Sequence, residues 1–267
     1  MENIQTEPIG NLLRGWRERR RKSQLDLALD AEISTRHLSF VETGRSKPSR
    51  EMILHLAEQL EVPLRERNKL LIIGGYAPAY TEKKLEDPSL DAARKAIDLI
   101  LKGHEPYPAI AIDRHWTMIS SNKTAPLMLE GVAPELLKPP INVLRLSLHP
   151  KGLAPRIVNL TEWRTHLLSR LRKQVDNTAD AGLEELHKEL SGYELSPKKN
   201  RKNLKSAVAE AGIIVPLQIE TNFGMLSFIS TTTVFGTPVD VILSELALET
   251  FFPADEKTRE IFMQLTI

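Results

Sequence analysis

The first quarter of the sequence places apolar residues at the spacing of short amphipathic helices. Ile9, Leu12, Leu13 and Trp16 recur at i, i+3, i+4 and i+7, which is the stripe that a helix buries. The same spacing, interrupted by cap and breaker residues, predicts four further helices at 24–30, 35–42, 50–60 and 65–73. Residues 1–76 are therefore expected to form an all-α domain of five helices.

The second and third of these helices are joined by a very short turn. Ser23 and Ser34 precede them, and a serine hydroxyl at such a position can accept a hydrogen bond from a free backbone amide. Gly44 supplies the left-handed residue that ends the third helix. The side chains expected to face the core are Leu25, Ala28, Leu29, Leu38 and Val41. The pattern is that of a helix-turn-helix.

The rest of the chain changes from helical spacing to strand spacing and back. Residues 77–105 are expected to form a connector with a helix at 90–102, and residues 106–267 a second domain. Runs rich in branched and aromatic residues predict strands at 109–113, 117–121, 213–220, 225–233 and 245–251. Helices are expected at 160–175, 179–190 and 255–265, and an exposed loop or frayed helix at 196–205. The predicted fold class is α+β.

Positive charge is concentrated in the helix-turn-helix segment. The whole chain has a formal charge of only +1, yet Gly10–Arg50 carries ten Lys or Arg residues against five acidic ones. Such a patch binds polyanions through phosphate contacts and counterion release. A solvated helix face is the alternative, and charge alone does not decide between the two.

The composition argues against several other classes of protein. The absence of cysteine excludes disulfides and thiolate metal sites, and no apolar run approaches the ~20 residues of a membrane span. A cytoplasmic location is therefore expected. No motif for phosphoryl transfer, zinc hydrolysis or acyl transfer is present, so we expect neither an enzyme nor a catalytic residue. His104, His115 and His149 lack the spacing of metal or haem ligands, and no metal site is expected.

The third helix has a face that its core residues leave free. Thr35, Arg36, Ser39 and Phe40 lie on that face, where a helix in the major groove of DNA would present them to base edges. An arginine at this position can bond guanine with both ends of its guanidinium, and a phenyl ring can touch a thymine methyl. Gln24, at the start of the second helix, could donate a hydrogen bond to a phosphate.

Gly10–Gly74 resembles the Cro/C1-type (XRE) family of helix-turn-helix regulators. The motifs that carry the resemblance are Gln24-Leu25-x-Leu27-Ala28, Ser34-Thr35-Arg36-His37-Leu38 and Glu42-Thr43-Gly44-Arg45-Ser46-Lys47-Pro48-Ser49. It implies base-reading roles for Thr35, Arg36 and Phe40, and phosphate contacts for Gln24, His37 and Lys47. Phe40 departs from the amide often found there, and Glu42 is expected to order the following loop. The alternative is a generic bundle with arginines for solubility.

The remaining chain resembles the MmyB-like family of regulators. The resemblance rests on His104-Glu105-Pro106-Tyr107-Pro108, Asp113-Arg114-x-Trp116, Asn142-Val143-Leu144-Arg145-x-Ser147-Leu148-His149-Pro150-x-Gly152-Leu153-x-Pro155, Asn159-x-x-x-Trp163-Arg164 and Phe251-Phe252-Pro253-Ala254-Asp255. It implies a PAS-like ligand-binding domain, an antiparallel sheet with helices on one face. It also implies a fatty acid or similar apolar ligand.

A site for such a ligand needs an apolar tunnel and a cation or donors for a carboxylate. The candidate lining residues are Ile112, Met118, Leu144, Leu146, Leu167 and Leu217. The candidate cations, in or near the His149-Pro150-x-Gly152 loop, are Arg145, His149, Arg156 and Arg164. Structural roles remain open for both sets, because Arg145 and His149 could simply hold the loop and the aliphatic residues could be ordinary core.

Together these features predict a homodimeric transcription regulator that reads double-stranded DNA and responds to a small apolar ligand. Two alternatives stay open for the C-terminal domain. It could be a ligand-free dimerisation or protein-interaction module, which co-purified lipid would contradict. It could also be catalytic, which would require a cluster of ionisable side chains in a cleft.

Overall fold

The computed structural model describes residues 7–194, 214–236 and 240–265. The chain divides into two compact units: the first contains the residues up to Lys83 and two short later segments, and the second contains most of the residues from Lys84 onward. The first unit is helical and the second combines a sheet with helices, so the predicted α+β class is confirmed. The predicted loop at 196–205 and the first residue of the strand predicted at 213–220 lie outside the described residues.

The first unit holds the five predicted helices. They are α1 (Ile9–Arg19), α2 (Gln24–Asp30), α3 (Thr35–Glu42), α4 (Arg50–Gln59) and α5 (Leu64–Ile73). Ser23 and Ser34 cap α2 and α3, accepting hydrogen bonds from the backbone amides of Asp26 and His37, both at 3.1 Å. Gly44 follows α3 with a φ of +73°, the left-handed conformation expected of it.

The predicted inward face of α2 is partly wrong. Leu25 and Leu29 are 57% and 68% exposed, whereas Leu27 and Ala28 are buried. The seven residues of α2 make barely two turns, so a small error in the assumed orientation moves the apolar stripe to the next positions. Leu38 and Val41 of α3 are buried as expected.

The second unit is built on a five-stranded antiparallel sheet. Its strands are β1 (Ala109–Ile112), β2 (Met118–Ser121), β3 (Leu217–Thr221), β4 (Gly224–Val234) and β5 (Ala247–Pro253). Their order across the sheet is β2-β1-β5-β4-β3. Neighbouring strands pair antiparallel, and the last strand, β5, pairs with both β4 and β1, which places β5 at the centre of the sheet.

Helices cover the sheet. They are α6 (Asp91–Gly103), α7 (Val143–Leu148), α8 (Leu160–Thr178), α9 (Ala181–Ser191), α10 (Val241–Ser244) and α11 (Glu256–Leu265). The predicted core stripe of α8 is confirmed, with Trp163, Leu167 and Leu171 buried in the main apolar cluster together with Phe228 of β4. The unit combines an antiparallel sheet with helices, as the resemblance implied.

Three features of the second unit were not predicted. The α7 and α10 segments are helical, although neither shows enough periodic residues to predict a helix. The connector helix α6 packs its Leu101 with Ala109 and Ala111 of β1 in a small cluster separate from the main core. Because successive strand residues point to opposite faces, this cluster lies on the other side of β1 from Ile110.

Candidate functional site

Two exposed arginines, Arg36 of α3 and Arg45 of the loop after α3, lie against the aromatic ring of Phe40. The guanidinium carbon of Arg36 lies 5.4 Å from the centroid of the Phe40 ring, and that of Arg45 lies 5.8 Å from it. Both arginines are exposed, and within the described ranges neither forms an ion pair with a carboxylate. Cation–π contacts of this kind hold a guanidinium in place without neutralising it. The positive charge of the segment is therefore available at α3.

A buried ionic network fixes α3 against α1 and α2. Arg17 donates to Glu42 from Nε to Oε1 at 2.6 Å and from Nη2 to Oε2 at 2.9 Å. Gln24 donates from Nε2 to the same Oε2 at 2.8 Å. The hydrogen bond with Glu42 raises the pKa of Arg17 above its ordinary value, which favours the charged guanidinium.

This network corrects the role predicted for Glu42. Its carboxylate is buried and bonds α1 and α2, so it does not order the loop that follows α3. Gln24 was predicted to contact phosphate. One N–H of its side-chain amide donates to Glu42, and the second N–H can donate to a ligand. Arg17 was missed, because an arginine in an arginine-rich helix gives no sign of burial in the sequence.

The other predicted DNA contacts lie on or beside the same surface. Thr35, His37 and Ser39 are half-buried on α3. Lys47 is exposed in the loop after α3, with its Nζ 5.8 Å from the centroid of the Tyr76 ring. The structure thus leaves all of them at least partly accessible, and their contacts with DNA stay a prediction.

The second unit encloses an apolar cavity of about 130 Å³ between the sheet, α7 and α8. Five of the six predicted lining residues line it: Met118, Leu144, Leu146, Leu167 and Leu217. Ile112, the sixth, is packed in the main core instead and does not reach the cavity. Trp116, Trp163, Phe228 and Phe251 complete much of the wall.

One wall of this cavity is ionic. Arg170 of α8 and Glu249 of β5 both line it and form a salt bridge, in which Nη1 lies 3.1 Å from Oε2 and Nη2 contacts Oε1. Thr232 of β4 donates to Oε1 of Glu249 at 2.8 Å, and Nη2 of Arg170 donates to the Thr232 hydroxyl at 2.5 Å. The guanidinium carbon also lies 4.6 Å from the centroid of the Trp116 ring.

The sequence contains one indication that Glu249 faces the cavity, which the predicted site did not include. In β5 the side chains at 249 and 251 point to the same face, and Phe251 also lines the cavity. An acid at an inward position of a strand requires a cation opposite it. Arg170 follows Leu167 by three positions on α8, so the helical spacing places it near the same face.

The four predicted cations do not line the cavity, which is a correction to the predicted carboxylate site. Arg145 instead donates to Glu189 of α9 at 2.7 Å from Nη2, and this hydrogen bond lowers the pKa of Glu189. His149 accepts at Nδ1 from the backbone amide of Lys151 at 3.0 Å. Both residues therefore hold the local structure, which was the alternative left open.

Arg156 and Arg164 are also engaged elsewhere. Arg156 donates from Nε to the Glu220 carbonyl at 3.0 Å, and burial lowers the pKa of its guanidinium. Arg164 donates to the carbonyls of Leu190 and Ser191, at 3.2 and 2.7 Å, and so caps the end of α9. Both guanidinium groups are thus bonded to main-chain carbonyls. The spacing of the sequence motifs does not reveal that these carbonyls lie near them.

Comparison with known families gives a match over most of the chain. Residues 93–265 match the family described as "MmyB-like transcription regulator ligand binding domain". Residues 8–70 match the family described as "Helix-turn-helix domain". A comparison with curated proteins gave no match. In the described part of the chain, no helix combines the length and the apolar character needed to cross a bilayer.

Proposed function

Because the chain belongs to the MmyB-like transcription regulator ligand-binding domain family, we propose that it binds DNA sequence-specifically and senses a small apolar ligand. Presence of the helix-turn-helix and ligand-binding domains makes it a DNA-binding transcription regulator with a ligand-binding domain. Neither family description names a reaction, and we propose no catalytic step. The domain limits 1–76, 77–105 and 106–267 are part of this proposal.

The observation that carries the DNA proposal is the pair of guanidinium groups of Arg36 and Arg45 on the Phe40 ring, neither of which forms an ion pair within the described part of the chain. The buried Arg17–Glu42–Gln24 network supports α3 from behind, so that its exposed face can enter the major groove as a rigid surface. Thr35 and Ser39 would then contact bases, with His37 and Lys47 at phosphates.

One such module has a small surface, so we propose a homodimer that binds two half-sites. The test is selection of bound sequences from random double-stranded DNA by the full chain. We expect enrichment of a nearly twofold-symmetric site whose half-sites lie about 34–36 Å apart, or a multiple of that spacing. Binding without any sequence enrichment would contradict the proposal. We place the protein in the cytoplasm because its proposed partner is genomic DNA.

The cavity supports the sensor proposal and limits the size of its ligand. An apolar cavity of ~150 Å³ is known to accept benzene, so the 130 Å³ found here suits a body of about six carbons. A short fatty acid or a similar apolar molecule is within this limit. A longer acyl chain requires the cavity to open further.

The alternative is a ligand-free interaction module, and a variant that fills the cavity separates the two. Ala125 lines the cavity, so Ala125→Leu should abolish binding of a six-carbon probe such as 1-hexanol, and with it the effect of the probe on DNA affinity. The control is Ala181→Leu at the exposed start of α9. If neither wild type nor control responds to any apolar probe, the interaction module is favoured.

A further inference from the structure

We infer that the ligand of this cavity has a neutral head group that both donates and accepts hydrogen bonds, and that Arg170 and Glu249 bind it. The inference rests on the proposed sensor function and specifies the class of ligand. Its starting point is the contrast between the apolar wall and a single salt bridge that faces the same space.

The salt bridge is balanced in charge and fixed in position. Glu249 is 4% exposed and accepts from both terminal nitrogens of Arg170 and from the hydroxyl of Thr232. Arg170 is also held against the Trp116 ring, with its guanidinium carbon 4.6 Å from the ring centroid. The wall therefore offers polar groups without a net charge.

Hydrogen-bonding capacity remains on both partners. A guanidinium has five N–H donors. Within the described residues, Arg170 uses three of them, two in bonds to Glu249 and one in a bond to Thr232. A carboxylate can accept about four hydrogen bonds. A head group that accepts from Arg170 and donates to Glu249 would satisfy both at once.

An ionised carboxylate does not meet this requirement. Its arrival would leave two carboxylates sharing one partly buried guanidinium beside an apolar cavity, and an uncompensated charge there is unfavourable. An alcohol or an amide brings no charge and can both donate and accept. Of the ligands that fit the cavity, short aliphatic alcohols and amides are therefore favoured over the corresponding carboxylate.

The test compares three six-carbon probes on the full chain at pH 7.5: 1-hexanol, hexanamide and hexanoate. We expect the two neutral probes to bind at least tenfold more tightly than hexanoate, measured by titration calorimetry. In Glu249→Gln the guanidinium loses its counterion while the amide oxygen can still accept from it, so hexanoate should become the tightest of the three. Glu260→Gln, an exposed acid on α11, is the matched control and should keep the wild-type order.

The outcomes separate this inference from the sensor proposal. Tighter binding of hexanoate than of the neutral probes by wild type would overturn the inference and leave the sensor intact. An unchanged order in a folded Glu249→Gln variant would also overturn it. Failure of all three probes to bind wild type would overturn the sensor proposal itself. Because the wild-type comparison needs no variant, the inference stays testable even if Glu249→Gln does not fold.

Discussion

Replacing Arg17 by methionine should destabilise the helix-turn-helix domain strongly while leaving its surface residues in place. Arg17 supplies two of the three hydrogen bonds to the buried carboxylate of Glu42, at 2.6 and 2.9 Å. In the variant the carboxylate stays buried and keeps only one of those three hydrogen bonds, the one from Gln24. Removing one member of a buried ion pair costs about 3–5 kcal/mol. We take the lower figure, because the hydrogen bond from Gln24 persists.

The assay is hydrogen–deuterium exchange of the full chain, read peptide by peptide. A loss of ~3 kcal/mol corresponds to roughly 150-fold faster exchange through opening of α1–α3, since each 1.4 kcal/mol is tenfold. Peptides from the sheet of the second unit serve as the internal control and should keep their wild-type rates.

A double variant removes both charges and tests the cause. Arg17→Met with Glu42→Leu leaves no buried unpaired carboxylate, so exchange should return to within about tenfold of wild type, or ~1.4 kcal/mol. If the single variant exchanges at the wild-type rate, the network is not the support for α3 that the distances indicate. Equal destabilisation of the single and double variants would show that packing, and not the orphaned charge, is responsible.

Three further predictions concern packing, phosphate contact and pH. Gly10→Ala should destabilise the first unit, because a Cβ there would lie 2.4 Å from the Val41 carbonyl oxygen; Gly15→Ala, in open space, should stabilise it by about 0.5–1 kcal/mol in thermal unfolding. Lys47→Ala should weaken binding to all DNA sequences alike and reduce the dependence of log K on log salt by about 1, measured by titration at several salt concentrations. The hydrogen bond from Arg145 lowers the pKa of Glu189 in the folded protein. The pair therefore stabilises the fold fully above the unfolded pKa of about 4.3, and this stabilisation is lost as the pH falls through the lower pKa of the folded state. The difference in Tm between wild type and Arg145→Met should therefore shrink from pH 7 to pH 3, and a constant difference would contradict this.

The sequence predicts a helix or strand correctly where the spacing of its apolar residues fits only one kind of element. Helices α1 to α5, the stripe of α8 and the strands around the Thr221-Asn222-Phe223-Gly224 turn all follow from the spacing of apolar residues and from breakers. The short helix α2 is the exception, since its seven residues accommodate two orientations and the exposed Leu25 and Leu29 look like core residues.

The polar part of the ligand site could not be obtained in the same way. Arginine and histidine residues near a proline- and glycine-containing loop suggested an anion site, but Arg145 is paired with Glu189 and Arg164 caps α9. Arg170 and Glu249 are separated by 79 positions in the sequence, and only the folded sheet brings them together. Long-range pairing of this kind leaves no local pattern apart from an acid at an inward strand position.

The most direct test of the central claim is a base-by-base substitution scan of a selected DNA site, with wild type and Arg36→Ala compared by competition binding. We expect Arg36→Ala to lose its preference at one base pair of each half-site, by ~1–3 kcal/mol, and to keep its preferences elsewhere. A uniform loss of affinity at every position, with the wild-type preferences unchanged, would mean that α3 does not read bases through Arg36.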